Sequence, residues 1–259
     1  MAAALLLIAG GAAAGVFGSL LGLGGGILIV PLLTLGFGLD LREAVGVSLV
    51  SVIMTSSAAA GVYLERHVAD LRLGMRLEMF TAIGALIGGS IAFLIDERWL
   101  SILFAGLLGY VAFTMARARE AAAEDAPILE TANGPSGDVR NFGWGVVGAT
   151  GAGVASALLG IGGGIVKVPL MHLAMGVPLR VATATSSLMV GITAAASAVI
   201  YLLHGEIDPY VAGPTAIGVF LGASVGSRVS RRIDLRVLRW LFVAVLTYTA
   251  VQMLLRAMS

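Results

Sequence analysis

The chain has 259 residues, 58% of them hydrophobic and 12% charged, with a net charge of +1. A soluble domain carries about 25% charged residues, so this composition, with a mean hydropathy of +0.99, excludes an ordinary soluble fold and predicts an all-α polytopic membrane protein. No cysteine is present, which excludes disulfides, thiol catalysis and thiolate metal sites, and the near-neutral balance carries no sign of nucleic acid as a partner.

In chain order, eight apolar segments are predicted at about residues 2–38, 44–64, 76–95, 99–116, 143–176, 182–203, 210–227 and 237–255. The N-terminal run has no basic stretch ahead of it and continues into the first glycine cluster, so it is expected to be retained and not cleaved as a signal peptide. Most segments are close to the roughly 20 residues that a membrane helix needs. The first and fifth are longer, and each is interrupted by Gly-x-Gly-Gly-Gly, at Gly22 to Gly26 and at Gly160 to Gly164. Three consecutive glycines should break a helix. In lipid such a break survives only where protein or a watery cavity covers it.

The two halves repeat at a constant offset of 138, with 16 of 28 positions identical between residues 15–42 and their partners. The register continues through Ser48 with Ser186, Thr55 with Thr193, Tyr63 with Tyr201 and Asp70 with Asp208. This divides the chain into a first transmembrane repeat, 1–116, a polar linker, 117–142, and a second repeat, 143–259. The linker holds Asn-Gly-Pro-Ser-Gly and is expected at the surface.

If segments one and five each cross once, the 15 arginines split eight against seven. If each enters and returns as a hairpin bent at its glycines, they split twelve against three. The second arrangement follows the positive-inside rule. It gives two inverted repeats, each a glycine-broken helical hairpin plus three transmembrane helices, with the linker cytoplasmic and both termini outside. Hairpin limbs of about 17 residues could be full or half spans. Inverted repeats with broken helices are a transporter architecture.

The glycines have two readings. They could let helices pack closely, or Gly24, Gly25, Gly26, Gly162, Gly163 and Gly164 could form turns whose N–H groups attract an anion. Neither copy is a P-loop or a dinucleotide fingerprint. Lys167, the only lysine, replaces Ile29 of the first copy. An intramembrane charge of this kind is costly and reads as functional by default; snorkelling to the interface is the alternative. Ser48, Thr185 and Ser186 offer hydroxyls that could donate to substrate oxygens or hold helices together, with Thr55 and Thr193 weaker candidates. Arg42 and Arg180 read as interfacial anchors or as funnels at the two mouths. Acidic residues are expected in loops, with Glu65 and Glu78 near segment ends. No carboxylate dyad, His cluster or Ser-His-Asp set is visible within a span, which argues against an intramembrane hydrolase and leaves no metal site or cofactor expected; no carboxylate relay for proton coupling is visible either, which leaves the energy source open.

The doubled Gly-x-Gly-Gly-Gly-x-x-x-Val-Pro, the Thr185-Ser186 pair, the eight segments and the chain length resemble the TauE/SafE family of sulfite and organosulfonate exporters. The resemblance covers essentially the whole chain. It implies a permease of the inner (cytoplasmic) membrane that moves small sulfur-containing anions such as sulfite, thiosulfate or sulfoacetate, usually outward. It places the family motifs on Gly22, Gly24, Gly25, Gly26, Pro31, Gly160, Gly162, Gly163, Gly164, Pro169, Thr185 and Ser186. Lys167 departs from the apolar residue often found there, and as a fixed positive charge would favour a strongly anionic solute. The expected mechanism is alternating access at a midplane site between the glycine motifs. The partners expected are a small anion and the lipid bilayer; a coupling proton or ion and a homo-oligomer are left open. A non-transporting membrane scaffold and an ion channel are the alternatives.

Overall fold

The computed structural model describes residues 2–21, 25–65, 69–117, 142–229 and 235–258. Gly22, Gly24 and linker residues 118–141 lie outside the described residues. Among those described there is no strand, and the chain forms ten helices: α1 (Ala2–Leu21), α2 (Gly26–Pro31), α3 (Leu41–Glu65), α4 (Leu71–Ala92), α5 (Glu97–Arg117), α6 (Phe142–Leu159), α7 (Gly164–Pro169), α8 (Leu179–Leu203), α9 (Pro209–Val229) and α10 (Leu235–Met258). Six of them, α1, α3, α4, α5, α6 and α8, hold stretches long and apolar enough to cross a membrane, and α10 contains the shorter apolar run Phe242–Leu255.

The short helices α2 and α7 end at Pro31 and Pro169 and continue as wider turns, Leu32–Gly36 and Leu170–Ala174. Proline has no N–H and crowds the carbonyl four residues back, and a wider i→i+5 turn relieves that crowding. The Met175 N–H accordingly reaches back five residues to the Leu170 carbonyl at 3.2 Å. Both segments then close with an N–H bonded six residues back, Leu39 to Leu33 at 3.2 Å and Val177 to Met171 at 2.9 Å.

Helix pairing follows the 138-residue repeat. A first side-chain carbon added at Gly15 would lie 2.3 Å from the Val219 carbonyl oxygen; one at Gly222 would lie 2.0 Å from that of Ala12. Adding 138 to the first-half residues and subtracting it from the second-half ones gives Gly153 against Thr81 at 2.0 Å and Gly84 against Thr150 at 2.1 Å. So α1 packs on α9, and α6 packs on α4, in one shared register. Each half places its first helix against the other half. Only glycine permits such close backbone approach.

These contacts also fix directions. Ile8, Ala12 and Val16 meet Gly218, Gly222 and Gly226, so α1 and α9 run parallel. Gly84 and Gly88 meet Thr150 and Val154, so α4 and α6 run parallel. Along α4 and α8, Gly74 meets Thr185, Glu78 bonds Thr193 and Gly89 meets Ile200, so they too are parallel. Since α6 and α8 both run with α4, the chain between them must turn back. That makes α6 and α7 the two limbs of a hairpin, bent at the second glycine cluster.

The limbs are unequal. At about 1.5 Å per residue, α6 with 18 residues is about 27 Å long, whereas α7 with its continuation, 6 + 5 residues, is about 16 Å. The entering limb can span a bilayer and the returning limb covers half of one. The expectation of two equal limbs is corrected here; the wide turn after the proline ends the second limb early.

The central helices are α3 and α8, which pack on each other and on α9 and α4 respectively, while α5 and α10 pair at the side. Val45, Val47, Leu49 and Val52 of α3 are fully buried. Gly222→Ala is expected to lower the melting temperature in detergent, since overpacking typically costs about 1–3 kcal/mol. Gly106→Ala, at a position with nothing within 4 Å, should leave it level or raise it, and parallel thermal denaturation of the two variants checks this.

Candidate functional site

The two glycine clusters meet between α3 and α8. Gly25 and Gly163 sit at the starts of α2 and α7 with φ of 74° and 75°, in the left-handed region that glycine enters without steric cost. A first side-chain carbon at Gly26 would lie 2.6 Å from the Gly160 carbonyl oxygen, 2.8 Å from the Val52 side chain and 3.1 Å from the Ser48 hydroxyl. Ser48 ties the two clusters together: its Oγ lies 2.7 Å from the Gly160 carbonyl oxygen and 3.3 Å from that of Gly26. Its one hydroxyl hydrogen serves the nearer of the two.

Ser186, its repeat mate, is different. It stands beside Gly164, with its Oγ 3.7 Å from where that residue's first side-chain carbon would be. It is 2% exposed, and its Oγ has no hydrogen-bond partner. Ser156, whose side chain faces Gly163, is likewise buried with an unpartnered Oγ. Buried hydroxyls are normally bonded, and each exception calls for an explanation. Among the described residues these two exceptions flank Gly163 and Gly164.

Of the expected site residues, Gly25, Gly26, Gly162, Gly163, Gly164, Ser48 and Ser186 are brought together; Gly24 lies outside the described residues. Thr185 is elsewhere. Its Oγ1 accepts from the Asp70 N–H at 2.9 Å and ties α8 to the start of α4. Asp70 in turn caps α4, accepting from the Leu73 N–H at 3.0 Å.

Lys167 is held by partners on two other helices. Its Nζ lies 3.2 Å from Glu78 Oε2 and donates to Thr193 Oγ1, while the Thr193 hydroxyl donates to Glu78 Oε1 at 2.6 Å. Lys167 is 1% exposed and Glu78 4%. Two buried charges cost several kcal/mol each to desolvate, and close pairing with shared hydrogen bonds offsets that. The expectation that Glu78 belongs near a segment end, outside the chemistry, is therefore corrected. It lies on the buried face of α4 with Gly74, Leu77, Thr81 and Gly84, and that helical spacing is the signal that could have found it. The fixed positive charge expected of Lys167 is balanced by this carboxylate.

Glu78 also lines a cavity of about 500 Å³ between α3, α4 and α8, together with Ser56, Asp70, Gly74 and Thr185. Lys167 is not in its wall and stands behind Glu78. The repeat mates of Lys167 and Glu78 are Ile29 and Ala216, so the symmetric position in the other half has no charge.

Arg42 is an anchor. It donates to the Ile95 carbonyl oxygen at 2.7 Å and lies over the Phe93 ring at 5.6 Å. Among the described residues no group of three or more His, Asp or Glu side chains could hold a metal ion.

Lys167→Ile alone leaves Glu78 buried without its partner, and Glu78→Ala does the reverse; each is expected to cost about 3–5 kcal/mol. The double variant rebuilds the Ile29 and Ala216 arrangement of the other half and should recover most of that loss. Melting temperatures of the four proteins in detergent measure the coupling, and additive losses would contradict it.

Comparison with known proteins places the chain. The sequence profile described as "Sulfite exporter TauE/SafE" matches residues 7–253. The probable membrane transporter protein YunE of Bacillus subtilis is 27% identical over 89% of either chain. A probable membrane transporter protein of Xylella fastidiosa is 29% identical, covering 89% of this chain and 86% of its own. The archaeal protein MJ0441 of Methanocaldococcus jannaschii, also a probable membrane transporter, is 26% identical over 96% and 95%. No solved structure gives a significant match. The helices, the doubled glycine clusters and the full-length similarity agree: this chain belongs to the sulfite exporter TauE/SafE family of multi-pass membrane transporters.

Proposed function

We propose that the protein moves a small sulfur-containing anion, such as sulfite, thiosulfate or a sulfonate, through a site at the second glycine turn. The observation that carries this reading is the pair of unpartnered buried hydroxyls, Ser156 and Ser186, beside Gly163 and Gly164. Sulfur oxyanions are acceptors with several oxygens, and hydroxyl and backbone N–H groups are the complementary donors.

Inverted repeats support an alternating-access mechanism. Helix α8 runs parallel to α4, and successive spans α3 and α4 run in opposite senses, so α8 opposes its own repeat mate α3. With the arginine-rich side cytoplasmic, the cavity opens from the cytoplasm beside Asp70 and reaches Glu78, eight residues or about 12 Å along α4. Exchange of the two halves' conformations would close this path and open its counterpart. In this reading the membrane is the cytoplasmic one and both termini lie outside.

The cavity falls within the usual range of ligand sites, about 300–1,000 Å³, and speaks against a purely structural scaffold. Its carboxylate favours a cation path as the competing reading. Flux into proteoliposomes of sulfite, thiosulfate, methanesulfonate, sodium and potassium separates the two, and cation flux without anion flux would overturn the proposal. Ser186→Ala should weaken anion affinity about tenfold or more, the worth of one hydrogen bond to an ion. It should leave the melting temperature unchanged, because no existing bond is lost.

A further inference from the structure

We propose that Glu78 takes up the proton that accompanies an anion to the second glycine turn and so frees Lys167, three residues past Gly164, to meet it, making the Lys167–Glu78–Thr193 cluster a proton-coupling site; this rests on the anion reading above. Three observations carry it. The first is order of approach. Glu78 lines the cavity and Lys167 does not, so an anion entering from the cavity meets a carboxylate before it meets the ammonium.

The second is charge balance. The ammonium and carboxylate sum to zero, and adding an anion would leave an uncompensated negative charge where such charge is costly. A proton that arrives through the cavity and forms an O–H bond on Glu78 restores neutrality. It also ends the ion pair, so the Lys167 ammonium can turn to the anion. The Thr193 hydroxyl both donates and accepts. It can donate to the carboxylate as it does now, or accept from the carboxylic acid afterwards.

The third is isolation. Asp70 is the other titratable group in the cavity wall, and its carboxylate is held by the Leu73 N–H. Of the helices packed on α4, α6 carries no charged residue and α8 only Arg180 in its first turn. On α4 itself Arg72 and Arg76 are exposed, off the buried face that carries Glu78; on α3 the charges are Arg42, Glu43 and Glu65, all at its ends, and on α7 there is Lys167 alone. The opposite half offers Ile29, Ala216 and Thr55 at the matching positions. One site with one exchangeable proton gives one proton per monovalent anion, despite the doubled scaffold.

The test is flux of a permanent anion, methanesulfonate or thiosulfate, into proteoliposomes with an internal pH dye and the membrane potential clamped. The wild-type protein should acidify the lumen as the anion enters, near one proton per methanesulfonate. Glu78→Gln should abolish the acidification and turn the remaining anion flux into a current. Anion entry with no lumenal pH change in the wild type would overturn the proposal without any variant, and so would undiminished proton movement in Glu78→Gln. If no anion moves at all, the anion reading itself falls, a result distinct from anion movement without protons.

Discussion

A peptide group in hydrocarbon cannot be left without a partner, yet this chain leaves helix twice within its apolar segments. The rest of the fold answers that constraint. Each break is placed against the other, and Ser48 supplies a hydroxyl to the Gly160 carbonyl oxygen with that of Gly26 close by. Helices α3 and α8 wrap the junction with Val45, Val52 and Val190, whose side chains approach the glycines so closely that a first side-chain carbon would collide with them. Gly26, Gly160 and Gly162 are thus closely enclosed, and the helices that enclose them are the central pair.

On this near-symmetric frame the chemistry is one-sided. Ser48 is bonded and Ser186 is not. Ile29 and Ala216 stand where the other half has Lys167 and Glu78. An ion pair can be gained or lost with little net effect on stability when both partners change together. That lets one half acquire charge while its mate keeps the apolar solution, without disturbing the shared packing.

Much of the architecture was legible in the sequence because it is periodic. The 138-residue offset found by aligning residues reappears atom by atom in the contacts of Gly15, Gly84, Gly153 and Gly222. In the second half the parallel run of α6 and α8 requires the chain between them to turn back at the glycines. The pairing of Lys167 was not legible. Its partner lies 89 residues earlier, on a helix that sequence gives no reason to place beside α7. Thr185 sits one residue from Ser186, but one position on a helix turns a side chain by about 100°, which sends it to α4 and away from the glycines.

The exchange of first helices between the halves sets an order of assembly. Helix α6 finds α4 already made. Helix α1 has no such partner: Ile8 meets Gly218, 210 residues later, so at about 5–20 residues per second its glycine-lined face stands in the bilayer for roughly 10–40 s before α9 emerges. During that interval the face can pair with lipid or with another nascent chain. The last helices made thus complete the packing of the first one, and a ribosome that stops early releases a protein whose first-made helix has never been seated.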